Sequence, residues 1–351
     1  MSLPPTEDVP DQPGPGWPGI PRDGVELALV TRSGFVESRH HGHAVVTAPD
    51  GHVVTALGQA DATMDPRSSL KPLQAAGCLL VGADLHGPAL AIGAGSHRGH
   101  PDHLDLVAEV LAASGLDEDD LQCPPALPSE PWASEDLLRA GGGPRRLAMN
   151  CSGKHAAMLT ACRAGDLDRA THLEPDHPLQ QRIRGVVEQV TGVTAGTVGI
   201  DGCGAPLFAT SLVGLARAIG RVGAAGAGEP GPTAGLHEEV VDALGRVARA
   251  MRAHPWAVAG IGADDTMVME QLDGVVAKGG AEGVLALGTA DGFGVAVKIA
   301  DGSSRATVPV GLALLTAAGI DATDLADALA PRTLGGGLPV GRVHAAPGVT
   351  A

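Results

Sequence analysis

EGVLALGTADGFGVAVKIADG, residues 282–302, sets two short runs of Val, Leu, Ala and Ile on either side of a Thr-Ala-Asp-Gly segment. Such runs, with Gly and Asp between them, read as a β-hairpin. HAVVTAPDGHVVTALG (43–58) is a second hairpin turning about Pro49-Asp50-Gly51, and VELALVTRSGFVE (25–37) precedes it as a strand and turn. Between these ends the period changes. PDHLDLVAEVLAASG (101–115), NCSGKHAAMLTACRAG (150–165), PLQQRIRGVVEQVTG (178–192) and LHEEVVDALGRVARAMRAH (236–254) carry helical spacing, and RATVPVGLALLTAAG (305–319) reads as a buried helix. Strands at both ends and helices between them predict an α+β fold, with one antiparallel sheet assembled from both chain ends and flanked by helices. PALAIGAGS (88–96) reads as a buried strand ending on Ser96. Residues 123–146, rich in Pro, Gly and acids, read as a long loop, and RVGAAGAGEPGPTAG (221–235) as a surface loop.

The bulk numbers narrow the classes. The chain has 351 residues and a hydrophobic share of 44%, enough for a large core. Aromatics are only 2%, so that core must be built from Ala, Val, Leu and Ile at short packing distances. A net charge of -16 argues against nucleic acid or an anionic membrane as partner. No apolar run reaches the length of a membrane span. The first residues have no basic region followed by an apolar segment, and the five dispersed cysteines suit a reducing cytoplasm better than a disulfide framework.

The chemistry begins at DPRSSLKPLQ (65–74). Residues three apart on a helix share a face, so Ser68 and Lys71 meet while Ser69 points elsewhere. Pro72 is tolerated only near a helix start. A serine hydroxyl needs a base to become a nucleophile, and lysine serves when burial or a neighbouring cation lowers its pKa. Alone, Ser-x-x-Lys also arises on solvated helix faces. Two features add weight: Ser96 at the end of PALAIGAGS, and Lys278 before a strand among glycines in VVAKGGAEGVLAL (275–287). A third constellation joins NCSGKHAAM (150–158) to DGCGAP (201–206). Cys151 and Lys154 have helix-turn spacing, Ser152 suits an N-cap, and Cys203 lies between glycines. Two thiolates could hold Zn²⁺, although a zinc signature normally needs four Cys/His ligands and buried structural cysteines are the plainer account. His97, His100 and His103 read as a solvated helix start rather than metal ligands.

Taken together, VTRSGFVESRHHGHAVV, RSSLKPLQ, GSHRGHPDH, NCSGKHAAML, DGCGAP and KGGAEGV, in this order, resemble the inducible, thermolabile L-asparaginase II family of the Rhizobium etli type. The resemblance runs from about Val25 to Ala318, with His100 standing where the family pattern has an acid. It implies hydrolysis of L-asparagine to L-aspartate and ammonia, a fold similar to serine β-lactamases and penicillin-binding proteins, and a homodimer. It further implies two Ser-Lys tandems, Ser68 with Lys71 and Ser96 with Lys278, with Ser68 as nucleophile. By the same resemblance zinc is held by Cys151, Lys154 and Cys203, and Arg67, His155 and Asp201 contact substrate or its water. On this reading residues 1–24 are a disordered Pro-rich leader, 25–330 a single catalytic domain and 331–351 a flexible tail. Two other classes compete: a serine hydrolase of another amide (glutamine or a peptidoglycan fragment), and a non-catalytic zinc protein, either asparagine-binding or purely structural.

Overall fold

Both runs of the opening segment are strands, Val284–Gly288 and Gly294–Ile299, paired antiparallel. Every residue in them is buried, so helices must cover both faces. The helix Leu212–Ala227 lies on one face, and it lies very close. A Cβ on Gly288 or Gly294 would run into the backbone carbonyls of Ile219 and Ala216, and one on Gly223 into that of Thr289. The helix Thr307–Ala317 covers the other, with Gly311 against Leu285 and Leu287. A core nearly free of aromatic rings thus closes by bringing glycine backbones together.

The computed structural model describes residues 19–20 and 24–350. The expected Pro-rich leader, 1–24, lies outside the described residues except at 19, 20 and 24. The main sheet is antiparallel and eight-stranded. Its order is Arg332–Gly335, Leu338–Ala345, Val25–Arg32, Phe35–Thr47, Gly294–Ile299, Val284–Gly288, Val276–Gly280, with Val53–Leu57 pairing Phe35–Thr47 beyond the end of Val25–Arg32. The predicted α+β fold, with a sheet drawn from both chain ends, is what the structure has. Among the described residues no helix is long and apolar enough to cross a membrane.

Four local expectations are corrected. Residues 88–96 are not a strand: Gly87–Gly93 is a helix with Pro88 in its first turn, where a missing N–H costs little. The expected loop at 123–146 contains the helix Pro131–Arg139, also started by a proline. Residues 221–227 are the last turns of the helix Leu212–Ala227, buried over 222–226, because small residues are what close packing on the sheet requires. The tail expected to be loose after residue 330 forms the hairpin Arg332–Gly335/Leu338–Ala345, turned by Gly336 and Gly337 at positive φ and paired to Val25–Arg32 through Ala28↔Ala345.

Lys71–Val81 is the central helix of the other layer, packed among Ser152–Ala164, Pro178–Thr191 and Glu238–Ala253. Leu70 and Leu73 are fully buried there, each contributing about 1.5–3 kcal/mol by transfer out of water. This burial holds the start of the helix, and with it the Ser68 turn, against the sheet edge.

Candidate active site

Pro66 fixes the entry to a 3₁₀ turn, Arg67–Leu70, which leads directly into the helix beginning at Lys71. Arg67 has φ +52°, a left-handed conformation that costs a residue with a Cβ about 1–2 kcal/mol. Ser69 turns inward and donates to the Pro66 carbonyl at 2.6 Å, while Ser68 stays half-buried at the surface of the turn. The edge strand Val276–Gly280 abuts this turn. A Cβ on Gly280 would lie 2.9 Å from the Pro66 carbonyl oxygen and 3.3 Å from the Ser69 nitrogen, so glycine permits the approach.

That approach brings Ser68, Ser96 and Lys278 to the wall of one cavity of about 290 Å³. Lys71 lies behind Ser96, fully buried, and donates from Nζ to Ser96 Oγ at 2.9 Å and to the Gly95 carbonyl at 2.5 Å. Ser96 is placed by the chain leaving the helix Gly87–Gly93, its N–H donating to the Val258 carbonyl at 2.6 Å. Lys278, 1% exposed, donates to Asp265 Oδ2 at 3.0 Å and to the Gly279 carbonyl at 2.7 Å. The four groups therefore come together, but the hydrogen bonds do not follow the expected tandems. Lys71 serves Ser96, and Lys278 serves a carboxylate.

Asp265 is the residue that sequence reasoning missed. It stands in the first turn of the helix Asp264–Gln271 and also accepts from the Gly279 N–H at 2.9 Å. In sequence, an acidic pair at a helix start reads as a match for the helix dipole, which conceals the role. Burial lowers the pKa of Lys71, opposed by Cys151 and reinforced by Lys154 and Lys278. The site thus holds one lysine biased toward its neutral form and one ion-paired.

Behind the serines lies the thiol cluster. Cys151 occupies the cap position of Ser152–Ala164, not Ser152, whose hydroxyl is buried and donates to the Leu147 carbonyl at 2.9 Å. Lys154 follows one turn later, and its Nζ lies 2.9 Å from Cys203 Sγ. Cys203 sits in a tight turn between the strands Val198–Ile200 and Pro206–Phe208, with Gly204 at φ +88°. Donor atoms of Cys151, Asp201 and Cys203 all lie within 4.8 Å of one another, so this group could hold a metal ion. Two buried thiols and a carboxylate are donors of the kinds a tetrahedral ion takes. Asp201 thus joins the two cysteines where the resemblance implied Lys154, whose amine, against burial, Cys203 and Cys151 hold toward its charged form. A shared hydrogen bond from Cys203 holds Cys151 well below the thiol range despite burial, with Lys71 and Lys154 assisting, and pushes Cys203 up.

Asp201 faces two ways. Its Oδ1 accepts from Arg67 Nε at 2.8 Å while its Oδ2 lies 3.6 Å from Cys203 Sγ. Against burial, Lys154 and Arg67 keep its carboxyl below the usual range. His155 is wholly buried, with neither ring nitrogen hydrogen-bonded, and burial together with Lys154 holds it neutral. The expectation of a solvated start at His97, His100 and His103 is corrected. His97 and His103 are buried and stacked with ring centroids 5.1 Å apart. Gly99 N–H donates into His97 Nδ1, which leaves Nε2 to donate to Ser152 Oγ at 2.8 Å. This histidine layer braces the loop carrying Ser96.

The family model described as L-asparaginase II matches residues 28–345. Among solved structures, the chain is similar to a protein from Bacteroides dorei DSM 17855 provisionally named a beta-lactamase, at 15% identity, covering 74% of this chain and 84% of that one, with a TM-score of 0.42. It is also similar to Mglu, at 15% identity over 82% of this chain and 67% of that one, with a TM-score of 0.34. No curated protein matches the chain.

Proposed function

The chain belongs to the L-asparaginase II family, and from that premise we propose that it hydrolyses L-asparagine to L-aspartate and ammonia through an acyl-serine intermediate. The family implies an amidohydrolase acting on a small molecule; the finer assignments are our reading. Its main support is the convergence of Ser68, Ser96 and Lys278 on one cavity, with Lys71 buried directly behind Ser96.

Ser68, at the strained turn, attacks the side-chain amide carbon. Lys71 in its neutral form accepts the displaced proton by way of Ser96, since Ser96 is its hydroxyl partner. Lys278, ion-paired with Asp265 at the cavity wall, steadies the oxyanion of the tetrahedral intermediate. Ammonia departs once protonated, and water then cleaves the ester. Arg67 and Asp201, already paired, present a cation and an anion side by side, which matches the carboxylate and ammonium of an α-amino acid. Zinc would be held by Cys151, Asp201 and Cys203, with Lys154 beside Cys203, and would supply a fixed positive charge that organises this end of the site. We carry the homodimer from the resemblance and the cytoplasmic setting from the five dispersed cysteines.

Ammonia release from L-asparagine, with L-glutamine alongside, tests the reading. Turnover by the parent protein and its loss in Ser68→Ala are expected. A Ser68→Ala protein that retains full turnover would overturn the nucleophile, and a parent inert on both amides would overturn the activity.

A further inference from the structure

Ser68 and Ser96 line the cavity of about 290 Å³, and so do Arg98, Asn150, Asp264, Ser304 and Thr307. Arg67, next to Ser68 in the chain, its partner Asp201 and the thiols are not among the lining residues. If the α-amino-acid head is held at Arg67 and Asp201 and the amide carbon sits at Ser68, the cavity lies on the leaving-group side. A leaving group the size of water fills about 30 Å³. The cavity is far larger than ammonia needs.

Its chemistry is also wrong for ammonia alone. Arg98 lines the wall with its side chain 40% exposed and its ion contact to Glu130 at a long 3.5 Å. The other lining charges are accounted for. Lys278 is paired with Asp265, and burial together with Asp265 raises the Asp264 carboxyl against the pull of Arg98. Arg98 is thus the lining cation with hydrogen-bonding capacity to spare, and a guanidinium matches a carboxylate in bidentate fashion. Asn150, Ser304 and Thr307 add neutral polar groups around it.

We propose that this cavity is a leaving-group subsite, and that the protein also cleaves β-aspartyl amides whose leaving amine carries a carboxylate, β-aspartyl dipeptides being the simplest, with Arg98 holding that carboxylate. This rests on the reading of Ser68 as the acylated nucleophile. The step balances without any further reactant than water. Ser68 Oγ forms an ester with the β-carbonyl carbon as the C–N bond breaks, and the amine leaves as a free amino acid with the proton that Ser68 gave up. Water then hydrolyses the ester to L-aspartate and restores the hydroxyl.

The test compares kcat/KM for L-asparagine, β-aspartylglycine and β-aspartylglycinamide, whose carboxylate is masked, in the parent, Arg98→Ala and Arg98→Lys proteins. The parent is expected to cleave β-aspartylglycine and to prefer it to its amide by about tenfold, as one charge-assisted contact gives. Arg98→Ala should lower the ratio of β-aspartylglycine to L-asparagine turnover about tenfold, and Arg98→Lys should restore part of it. Turnover of L-asparagine without cleavage of the dipeptide would overturn this inference alone, as would a parent indifferent to the masked carboxylate. An Arg98→Ala protein with the ratio unchanged would do the same. Cleavage of neither substrate would sink the amidase reading itself, and this inference with it.

Discussion

Lys71 donates to Ser96 Oγ at 2.9 Å although 25 residues separate them, and its partners there are a hydroxyl, a carbonyl and the Cys151 thiol, not a carboxylate. Lys278, in contrast, is bonded to Asp265 at 3.0 Å. Two amines in one site would repel as cations, and this arrangement separates their roles. The amine without a carboxylate on it is the one that burial favours as neutral, while the other is held in an ion pair.

The first prediction follows for pH. Neutral Lys71 is the active form, so kcat/KM for L-asparagine should rise with pH along a limb set below the ordinary lysine value of 10.5. Lys71→Met should abolish the limb and lower activity by about 10²–10⁴. Stability runs with it. Between the lowered folded value and 10.5 the unfolded chain binds the extra proton, so stability rises with pH there, and the burial cost is greatest below the folded value. Lys71→Met should therefore resist denaturant better than the parent at pH ~7, by a margin that shrinks toward 10.5. A margin that widens with pH would refute the assignment.

The second concerns Asp265. Removing one partner of a buried ion pair strands the other, at a cost of about 3–5 kcal/mol. Asp265→Ala should be destabilised by that order in urea, and adding Lys278→Met should recover much of it, because the stranded ammonium is gone. Additive losses in this double-mutant cycle would show that the pair is not coupled.

Some of this was legible in sequence and some was not, for physical reasons. Three-residue spacing put Cys151 and Lys154 at one helix start, because local geometry depends only on local sequence, but the meeting it implied for Ser68 and Lys71 gives way to a bond from Lys71 to Ser96. The hairpins at 43–58 and 282–302 were legible through their turn residues. PALAIGAGS was not, since a short apolar run has no period to tell a buried strand from a buried helix, and only Pro88 hinted at the latter. The bond from Lys71 to Ser96 and the pairing of Lys278 with Asp265 join separate elements, so no spacing encodes them. Gly335-Gly336-Gly337 is a turn signal, but turn residues do not encode which strand the hairpin then pairs with.

The third prediction separates the two possible duties of Asp201. Cys203→Ser should lose bound zinc, measured as metal per protein after dialysis, and stoichiometric retention would rule out that ligand. Asp201→Asn should raise KM for L-asparagine with zinc unchanged if the carboxylate clamps substrate. If it is a ligand, zinc affinity should fall by 10-fold or more, the order seen when a metal shell is disturbed (~10–100-fold).

The fourth is steric. Gly280→Ala puts a methyl 2.9 Å from the Pro66 carbonyl oxygen and must push the edge strand off the Ser68 turn. A displacement approaching 1 Å costs about 10²-fold in rate, and the strain costs about 1–3 kcal/mol in stability. Full activity in Gly280→Ala would show that the turn and strand are not held in register by this contact.

The last concerns the strained residue beside the nucleophile. Arg67 at φ +52° bears the left-handed penalty of a residue with a Cβ, about 1–2 kcal/mol. Arg67→Ala and Arg67→Gly both lose the ion pair to Asp201, so both should raise KM for L-asparagine similarly. They differ in the backbone. Glycine escapes the penalty but gives the unfolded chain more freedom, worth about 0.4–1 kcal/mol against it. The first effect is the larger, so Arg67→Gly should be the more stable variant by roughly 0.5–1 kcal/mol. At an ordinary φ the order would reverse. Denaturant melts giving Ala the advantage would mean that the turn relaxes when the guanidinium is removed, and that the Asp201 contact, not the local chain, holds Arg67 in its unusual conformation.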